Sequence, residues 1–312
     1  MIEQQKESLE EKVKERTNEL ENANTEIIIQ NEELQQQQEE LSTINETLEI
    51  TLSELKFTAK RLNKSIQYAY NIQQTILPKK SKLDSFFQSH FSIYLPKDVV
   101  SGDFYWFTIL EEGKAIFALA DCTGHGVPGA FMSMIGNTLL HEITKSKGVI
   151  NPAEILENLN LGITNILRQA ESKNTDGMDI SLCLFEKQEN ANEYKITFAG
   201  AKSNIFYSQD NQVLQLLGHR TSIGGILERK KDFKNQEITL QVGQKVYFTS
   251  DGYIDQHNVM RKRFGTAKFI ELLTQVSHLE IPEQEKEILK TLKEHQKDEE
   301  QRDDISVVGI KL

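Results

Sequence analysis

Four acidic segments, far apart in the last two-thirds of the chain, each adjoin an apolar run. In order they are Ser101-Gly102-Asp103-Phe104-Tyr105, then Ala-Asp-Cys-Thr-Gly-His-Gly at 120–126, Ser-Asp-Gly-Tyr-Ile-Asp at 250–255 and Arg-Asp-Asp-Ile-Ser at 302–306. If the ends of these strand-like runs converge, several carboxylates surround one point. Clustered carboxylates repel one another unless cations lie between them, so the sequence predicts a site for hard divalent metal ions.

The segment after Asp121 supplies a second kind of oxygen ligand. Gly124, Gly126 and Gly129 allow the backbone to approach a ligand closely, and exposed carbonyls can then join the carboxylate. No cluster of His or Cys accompanies these aspartates, which favours Mg²⁺ or Mn²⁺ over Zn²⁺. Two such ions ~3.5–4 Å apart would lower the pKa of a shared water and direct it at phosphorus.

Each segment has an ordinary structural interpretation when it is taken alone. Asp251-Gly252 is a common turn dipeptide, and Asp303-Asp304 could cap a turn. The joint order of the segments, each beside a predicted strand, is what supports a metal site.

The N-terminal region, from about residue 2 to about residue 76, contains no Gly and no Pro and is rich in Glu, Gln, Asn, Lys and Leu. A seven-residue stride meets an apolar side chain at every step, at Val13, Leu20, Ile27, Leu34, Leu41, Leu48, Leu55 and Leu62. This repeat predicts a coiled coil, with a parallel dimer as the leading form. The other seam positions mix apolar and polar residues, so a solvated single helix or a disordered tract stays open.

Composition changes between Tyr68 and Pro78, where aromatic residues appear and proline stops the helix. Beyond Pro78, short strand-like runs joined by turns alternate with helical segments. This pattern predicts an α+β fold with antiparallel sheets covered by helices. The expected domains are a coiled-coil dimerisation helix at 1–65, a linker (transmission) helix at 66–80 and a globular domain at 81–312.

Bulk properties limit the classes of function. The chain has 312 residues and a net charge of −11, which disfavours nucleic acid as a partner because phosphates repel it. Two cysteines do not suggest a disulfide framework and fit a reducing compartment. The sequence shows neither a signal-peptide pattern nor a bilayer-spanning apolar stretch, so we expect a cytoplasmic location. The cytoplasmic part of a longer, membrane-anchored sensor is an open alternative.

The ordered motifs resemble the SpoIIE-type (stage II sporulation E, RsbU-like) branch of the metal-dependent protein phosphatase 2C family. The motifs are Ser-Gly-Asp-Phe-Tyr, Ala-Asp-x-Thr-Gly-His-Gly-Val-Pro-Gly-Ala, Ser-Asp-Gly-Tyr-x-Asp and Asp-Asp-Ile-Ser, spread over about 77–312. The resemblance implies two stacked antiparallel sheets flanked by helices, an αββα sandwich. It also implies hydrolysis of phosphoserine or phosphothreonine in a protein. A small anti-sigma-factor antagonist is the substrate expected for bacterial members.

The resemblance further implies a role for each matching residue. Catalysis would rest on Asp121, Asp251 and Asp303. The implied metal ligands are Asp121, bridging two ions; the backbone carbonyl of Cys122, on the second ion; Asp251 and Asp303, on the first ion; Asp103, directly or through a water; Asp304, supporting; and Asp255, on a weaker accessory third ion. Trp106 departs from the pattern, because many relatives have another Asp there. His125 is not adjacent to the bridging Asp, so a role in packing the glycine turn is favoured over general acid catalysis.

The substrate phosphate needs positive charge beyond the metal ions. The basic residues nearest to the motifs in sequence are Lys97, Lys202, Arg220 and Arg302. Lys97 is the first choice for phosphate binding because it lies just before the Asp103 motif.

Two functions of different classes follow. The first is an active Mn²⁺- or Mg²⁺-dependent serine/threonine phosphatase, a homodimer regulated through its N-terminal helix by an upstream sensor. The second is a pseudophosphatase scaffold, although a degenerate site would normally have lost some carboxylates. A nuclease or nucleotide hydrolase is a minor alternative, since no Gly-x-x-x-x-Gly-Lys-Ser/Thr motif is present.

Overall fold

The structure is a computed structural model, and it describes residues 1–111, 113–188, 192–225 and 231–312. The chain divides into two compact units, Met1–Ser65 and Ile66–Leu312. Helix α1 (Ile2–Ile76) accounts for nearly all of the first unit and contributes its last turns to the second. The absence of Gly and Pro explains its uninterrupted length. No helix among the described residues is both long enough and apolar enough to cross a bilayer.

The apolar heptad positions of α1 are exposed in the single chain. Leu20 is 66% exposed, Leu34 58% and Leu55 63%, although leucine normally becomes buried. A helix of this composition gains most of its stability by burying such a stripe. Pairing of two copies along it stays a prediction.

The second unit contains six further helices and eleven strands within its described residues. The helices are α2 (Lys80–Asp84), α3 (Gly126–His141), α4 (Pro152–Ile166), α5 (Asp251–Asp255), α6 (Thr266–Val276) and α7 (Ile281–Gln296), and a π-helical turn, Glu142–Ser146, follows α3. The strands are β1 (Ser89–Leu95), β2 (Phe104–Glu111), β3 (Lys114–Cys122), β4 (Gly177–Lys187), β5 (Glu193–Ala201), β6 (Ile205–Gln209), β7 (Gln212–Leu216), β8 (Ile223–Gly224), β9 (Gln236–Gln241), β10 (Lys245–Thr249) and β11 (Ile305–Lys311).

The strands form two antiparallel sheets. Sheet A has the order β1-β11-β10-β6-β7, and sheet B has the order β2-β3-β4-β5-β9 with β8 paired to β4. Three apolar cores separate four layers. One core lies between α3–α4 and sheet B, one between the two sheets, and one between sheet A and α6–α7. The predicted fold class, two stacked antiparallel sheets flanked by helices and preceded by a long helix, is confirmed.

Alternation along the strands determines which side chains face the inter-sheet core. On β3, Phe117 and Leu119 belong to that core, whereas Ala118 and Ala120 belong to the helix-covered core. Because side chains alternate across a strand, Asp121 is directed to the inter-sheet side. The same parity holds for Asp179 on β4, since Met178 and Ile180 face the helices.

Two local predictions differ from the structure. The apolar residues between Gly129 and Ile143 predict a helix over that range, whereas the observed helix begins three residues earlier, at Gly126, with the extended His125 as its N-cap. Strand β2 was not predicted, because Phe104-Tyr105-Trp106-Phe107 lacks polar alternation. Its aromatic residues are buried on both faces of the sheet, which removes the two-residue period.

Candidate metal and phosphate site

Asp103 and Asp121 are neighbours at one end of sheet B. Asp103 directly precedes β2, and Asp121 is the penultimate residue of β3. The antiparallel register pairs Phe104 with Ala120, so the next pair along the ladder is Asp103 with Asp121. Opposed residues of antiparallel strands have Cβ atoms about 4.5–5.5 Å apart.

Sheet A contributes the other predicted carboxylates. Asp251 begins α5, separated from the end of β10 by Ser250 alone, and Asp303 and Asp304 directly precede β11. The two strand ends are joined, because the Ser250 N–H donates to the Ser306 carbonyl at 3.0 Å and the Ser306 N–H donates to Ser250 Oγ at 3.0 Å. The ends of β10 and β11 therefore bring Asp251 next to Asp303.

Close backbone contacts hold the loop segments of the two sheets against each other. A Cβ added to Gly102 would lie 2.5 Å from the Gly124 carbonyl oxygen, closer than a side chain tolerates, and 3.3 Å from the Cys122 carbonyl oxygen. A Cβ on Gly129 would overlap the Gly124 carbonyl oxygen. Only glycine permits this approach, so the glycines of the motifs are needed to bring the Cys122 carbonyl and the Asp103 segment together.

Asp103 is a buried carboxyl group, 1% exposed, at the centre of this arrangement. Burial raises its pKa well above the ordinary value, and the nearby carboxylates of Asp304 and Asp303 act in the same direction. The nearby hydroxyl groups of Ser250 and Ser306 lower the pKa and so oppose the shift. The Asp103 carboxyl group therefore lies close enough to Asp303 and Asp304, the two residues that precede β11, to be repelled by both.

Asp121 and Asp251 show the same mutual influence. Desolvation raises the pKa of Asp121 well above the ordinary value, followed by repulsion from Asp103, Asp251, Asp303 and Asp179. Desolvation and then repulsion from Asp303 raise the pKa of Asp251, whereas the nearby Asp121 carboxyl group acts in the opposite direction. The structure therefore brings Asp103, Asp121, Asp251 and Asp303 close enough to act on one another.

A cation would relieve two features of this site. Asp103 Oδ2 is buried and, within the part of the chain that the structure describes, has no hydrogen-bond partner. The clustered carboxylates also destabilise their own ionised forms. Across the described ranges, no three His, Cys, Asp or Glu side chains are placed so that they could hold a metal ion together. The chemistry of the donor set, carboxylate and carbonyl oxygens, fits hard divalent ions.

Asp304 braces the site through backbone contacts. Its Oδ1 accepts a hydrogen bond from the Lys97 N–H and its Oδ2 accepts one from the Gly102 N–H, both at 2.7 Å. The side chain is only 3% exposed. These two bonds tie the start of β11 to the segment that carries Asp103, which is a supporting role.

Two other predicted residues have ion-pair or hydrogen-bond partners. The ammonium of Lys97 lies 2.9 Å from His125 Nε2, and His125 Nδ1 lies 2.6 Å from Asp98 Oδ2. This chain explains His125 as a link between the glycine turn and the Lys97 segment. Asp255 receives both of its hydrogen bonds from the Arg263 guanidinium, at 3.1 Å each.

Sequence reasoning gave no role to two residues that the structure connects to the site. Asp179 is the cross-strand partner of Asp121, and it pairs with Lys202. Gln73, near the end of α1, is buried and bonds to Ser101, two residues before Asp103. Asp179 could have been singled out, because the Asp-Gly-Met-Asp-Ile segment places a carboxylate inside an apolar strand. Nothing local distinguishes Gln73 from the many other glutamines of the helix.

Comparison with known proteins agrees with this architecture. The SpoIIE family (stage II sporulation protein E) matches residues 111–312. The SiaA-PP2C domain of Pseudomonas aeruginosa is 31% identical with a TM-score of 0.73, over 82% of this chain and 98% of that one. The chain belongs to the SpoIIE family. It is therefore an enzyme of the protein phosphatase class, in the metal-dependent branch that the motifs indicated.

More distant structures share the fold. The PP2C phosphatase domain of SpoIIE from Bacillus subtilis, with a fragment of its regulatory domain, is 18% identical with a TM-score of 0.57, over 72% of this chain and 62% of that one. The RsbU and RsbW domains of a Mycobacterium tuberculosis protein are 18% identical with a TM-score of 0.56, over 72% and 59%. A search of curated proteins found no match. The family match begins after Asp103, so the role of that residue rests on the site geometry.

Proposed function

We propose that this phosphatase removes phosphate from phosphoserine or phosphothreonine in a signalling protein, using two divalent ions, Mn²⁺ or Mg²⁺. The observation that carries the proposal is the convergence of Asp103, Asp121, Asp251 and Asp303 from two sheets, where burial and then the neighbouring carboxylates raise the pKa of Asp103, Asp121 and Asp251. When bound, the ions would supply Lewis acidity and an activated water. Membership of the metal-dependent family supports the use of divalent metal.

The chain's own groups would divide the work. Asp121, near the end of β3, would bind both ions, and the carbonyl of the adjacent Cys122 would bind the second ion. Asp251 and Asp303 would hold the first ion from sheet A. Asp103 would turn its unpartnered Oδ2 toward the ions, directly or through a water.

Three finer assignments belong to the same proposal. Asp304 supports the site by orienting the backbone of Gly102, next to Asp103. Asp255 would serve a weaker accessory ion once it leaves Arg263. The Lys97 ammonium, which donates to His125, would bind the substrate phosphate.

Regulation would act through the N-terminal helix. We assign residues 1–65 to a coiled-coil dimer, 66–80 to the linker and 81–312 to the phosphatase domain. Gln73, 1% exposed, supports this because its Nε2 donates to the Ser101 carbonyl at 2.6 Å and to Ser133 Oγ on α3 at 3.0 Å. A shift of this turn of the helix would move both Ser101 and α3, and through them the backbone around Asp103.

The protein substrate is inferred by analogy. One structural relative carries RsbU and RsbW domains in a single protein. This pairing supports a partner-switching system for the present chain and a small anti-sigma-factor antagonist as substrate, with an upstream sensor. The scaffold alternative gains no support from the site, because all of the expected carboxylates are present and grouped.

The test is hydrolysis of p-nitrophenyl phosphate and of a phosphoserine peptide with Mn²⁺, with EDTA as the control. D121A and D251A should each reduce turnover to background while the chain stays folded. D232A is the matched control, since Asp232 is an exposed aspartate that lies beside Lys234 at 3.9 Å. Full activity in both site variants would contradict the metal assignment. An inactive wild type with normal Mn²⁺ binding would favour the scaffold.

A further inference from the structure

A lysine and an aspartate form an ion pair on the strand next to Asp121. Asp179 on β4 is the direct cross-strand partner of Asp121 on β3. Lys202 directly follows β5, and its Nζ lies 3.0 Å from Asp179 Oδ2. An ammonium group is therefore held one strand away from the residue proposed to bridge the metal ions.

The backbone of Lys202 is fixed in an unusual conformation. Its φ is +53°, in the left-handed region that L-residues with a Cβ rarely adopt. Its N–H donates to the His219 carbonyl at 2.6 Å, and the residue forms a parallel bridge with Ile180. Such conformations persist where the surrounding structure enforces them, and they are concentrated at functional sites.

The charge of Lys202 acts on the carboxylate cluster while its side chain stays accessible. Asp179 raises the pKa of Lys202, and Asp251 and Asp121 add to the effect. The side chain is 60% exposed, so an incoming ligand can reach the ammonium. The Lys97 ammonium, proposed above for the same phosphate, would first have to leave His125.

We propose that the Lys202 ammonium binds a phosphoryl oxygen of the substrate at the edge of the carboxylate cluster, and that Asp179 positions it there. The inference rests on the proposed phosphatase function. A phosphate monoester carries negative charge into a site lined by aspartates, so a fixed cation beside Asp121 lowers the cost of its approach. Charge-assisted contacts of this kind are shorter and stronger than neutral hydrogen bonds.

A simpler interpretation is that Lys202 only neutralises Asp179. An exposed ion pair of that kind contributes about 0–1 kcal/mol to stability and has no effect on ligand binding. The chain contains a matched pair for comparison, since Lys195 on the same strand, β5, lies 2.9 Å from Glu237 on β9. Lys195 forms its pair at the opposite end of β5 from Lys202.

The experiment measures binding of inorganic phosphate to the full-length, Mg²⁺-loaded protein by calorimetry, with p-nitrophenyl phosphate kinetics alongside. K202M should weaken phosphate binding about tenfold, the effect of losing one charge-assisted contact. K202R should stay within about threefold of the wild type and K195M within about twofold, given the usual scatter of such effects. Unfolding midpoints verify that each variant is folded.

The outcomes separate the proposals. Unchanged phosphate affinity in K202M would overturn the Lys202 assignment, as would equal losses in K202M and K195M. The positioning role of Asp179 is tested by a double-mutant cycle, in which K202M should cost less in a D179N background. An equal cost in both backgrounds would overturn that role. Failure of the wild type to hydrolyse p-nitrophenyl phosphate would refute the proposed function instead, whereas the phosphate-binding comparison does not depend on turnover.

Discussion

Asp303 and Asp304 are adjacent in sequence, and the structure predicts opposite consequences for the same substitution. In D304N, either the part-buried N–H of Lys97 or the buried N–H of Gly102 must face the new amide group instead of a carboxylate oxygen. A net hydrogen bond to a charged acceptor contributes about 1.5–3 kcal/mol, and a buried donor left without a partner costs about 1–3 kcal/mol. These costs overlap, and relief of the repulsion on Asp103 offsets part of them. We expect D304N to lower the free energy of unfolding of the metal-free chain by about 2–4 kcal/mol.

D303N should leave the metal-free stability within about 0.5 kcal/mol of the wild type, as expected for an exposed position. The asparagine oxygen can still accept the hydrogen bond from the Asp304 N–H, now at 2.9 Å. D303N should instead lower Mn²⁺ affinity and turnover, because the substitution removes a carboxylate ligand. The two variants differ by one position and carry the same chemical change, so each is the control for the other.

The assay is urea unfolding of metal-free protein followed by fluorescence. The single tryptophan of the sequence, Trp106, is 1% exposed and lies on β2, so its emission reports on the phosphatase unit. A loss below about 1 kcal/mol in D304N, or equal losses in D303N and D304N, would refute the reasoning that Asp304 braces the backbone.

Three further predictions concern the same unit. G129A should lower the free energy of unfolding by about 1–3 kcal/mol or more, because the new methyl overlaps the Gly124 carbonyl oxygen; an unchanged urea midpoint would contradict the close contact. Q73A should lower the free energy of unfolding by about 2–4 kcal/mol, because the hydrogen bonds to Ser101 and its neighbours are lost; the same fluorescence assay measures it. A loss below about 0.5 kcal/mol would mean that these bonds do not hold the end of α1 against the Ser101 segment. Because the pKa of Asp121 is raised in the folded chain, this group stabilises the metal-free protein at pH values below its unfolded pKa of about 3.9, and the contribution is lost as pH rises through the folded pKa. The free energy of unfolding should therefore fall between acid and neutral pH, less steeply in D121N than in the wild type, and Mn²⁺ should reverse the trend. Identical pH slopes in the two proteins would refute this.

The sequence predicted those parts of the fold that depend on local pattern. The absence of Gly and Pro indicates a long helix, observed as α1, and the continuous apolar run at Ala115–Ala120 indicates a buried strand, observed as β3. Strand β2 also lacks polar alternation, but its aromatic residues follow the acidic segment at 101–103 without a separate aliphatic run, so the pattern did not identify it.

The residues of the candidate site also differ in whether the sequence alone could identify them. The aspartates that adjoin strand ends could be predicted, because Gly and Asp at the end of an apolar run form a local signal. Gln73 could not, since its partner Ser101 is 28 residues away and the glutamine resembles its neighbours on the helix. Lys202 was one of four basic residues near motifs, and sequence distance favoured Lys97 instead. The ion pair with Asp179 depends on the β4–β5 register, which a single sequence does not determine.

Without metal ions, ionisation of the clustered carboxyl groups is unfavourable, and this explains why metal binding would activate the site. Burial and mutual repulsion raise the pKa of Asp103, Asp121 and Asp251, so the metal-free fold opposes the ionised form that its own ligands need. Metal binding reverses this opposition, because each ion requires deprotonated ligands and releases protons on binding. Activity should therefore fall on acidification and recover partly with added Mn²⁺. Loss of activity that added metal does not restore would point to unfolding of the domain instead. Because carboxylate repulsion opposes metal binding in this site, small backbone movements would change its metal affinity. A shift of Gln73 relative to Ser101 would be one such movement, and it would therefore regulate activity.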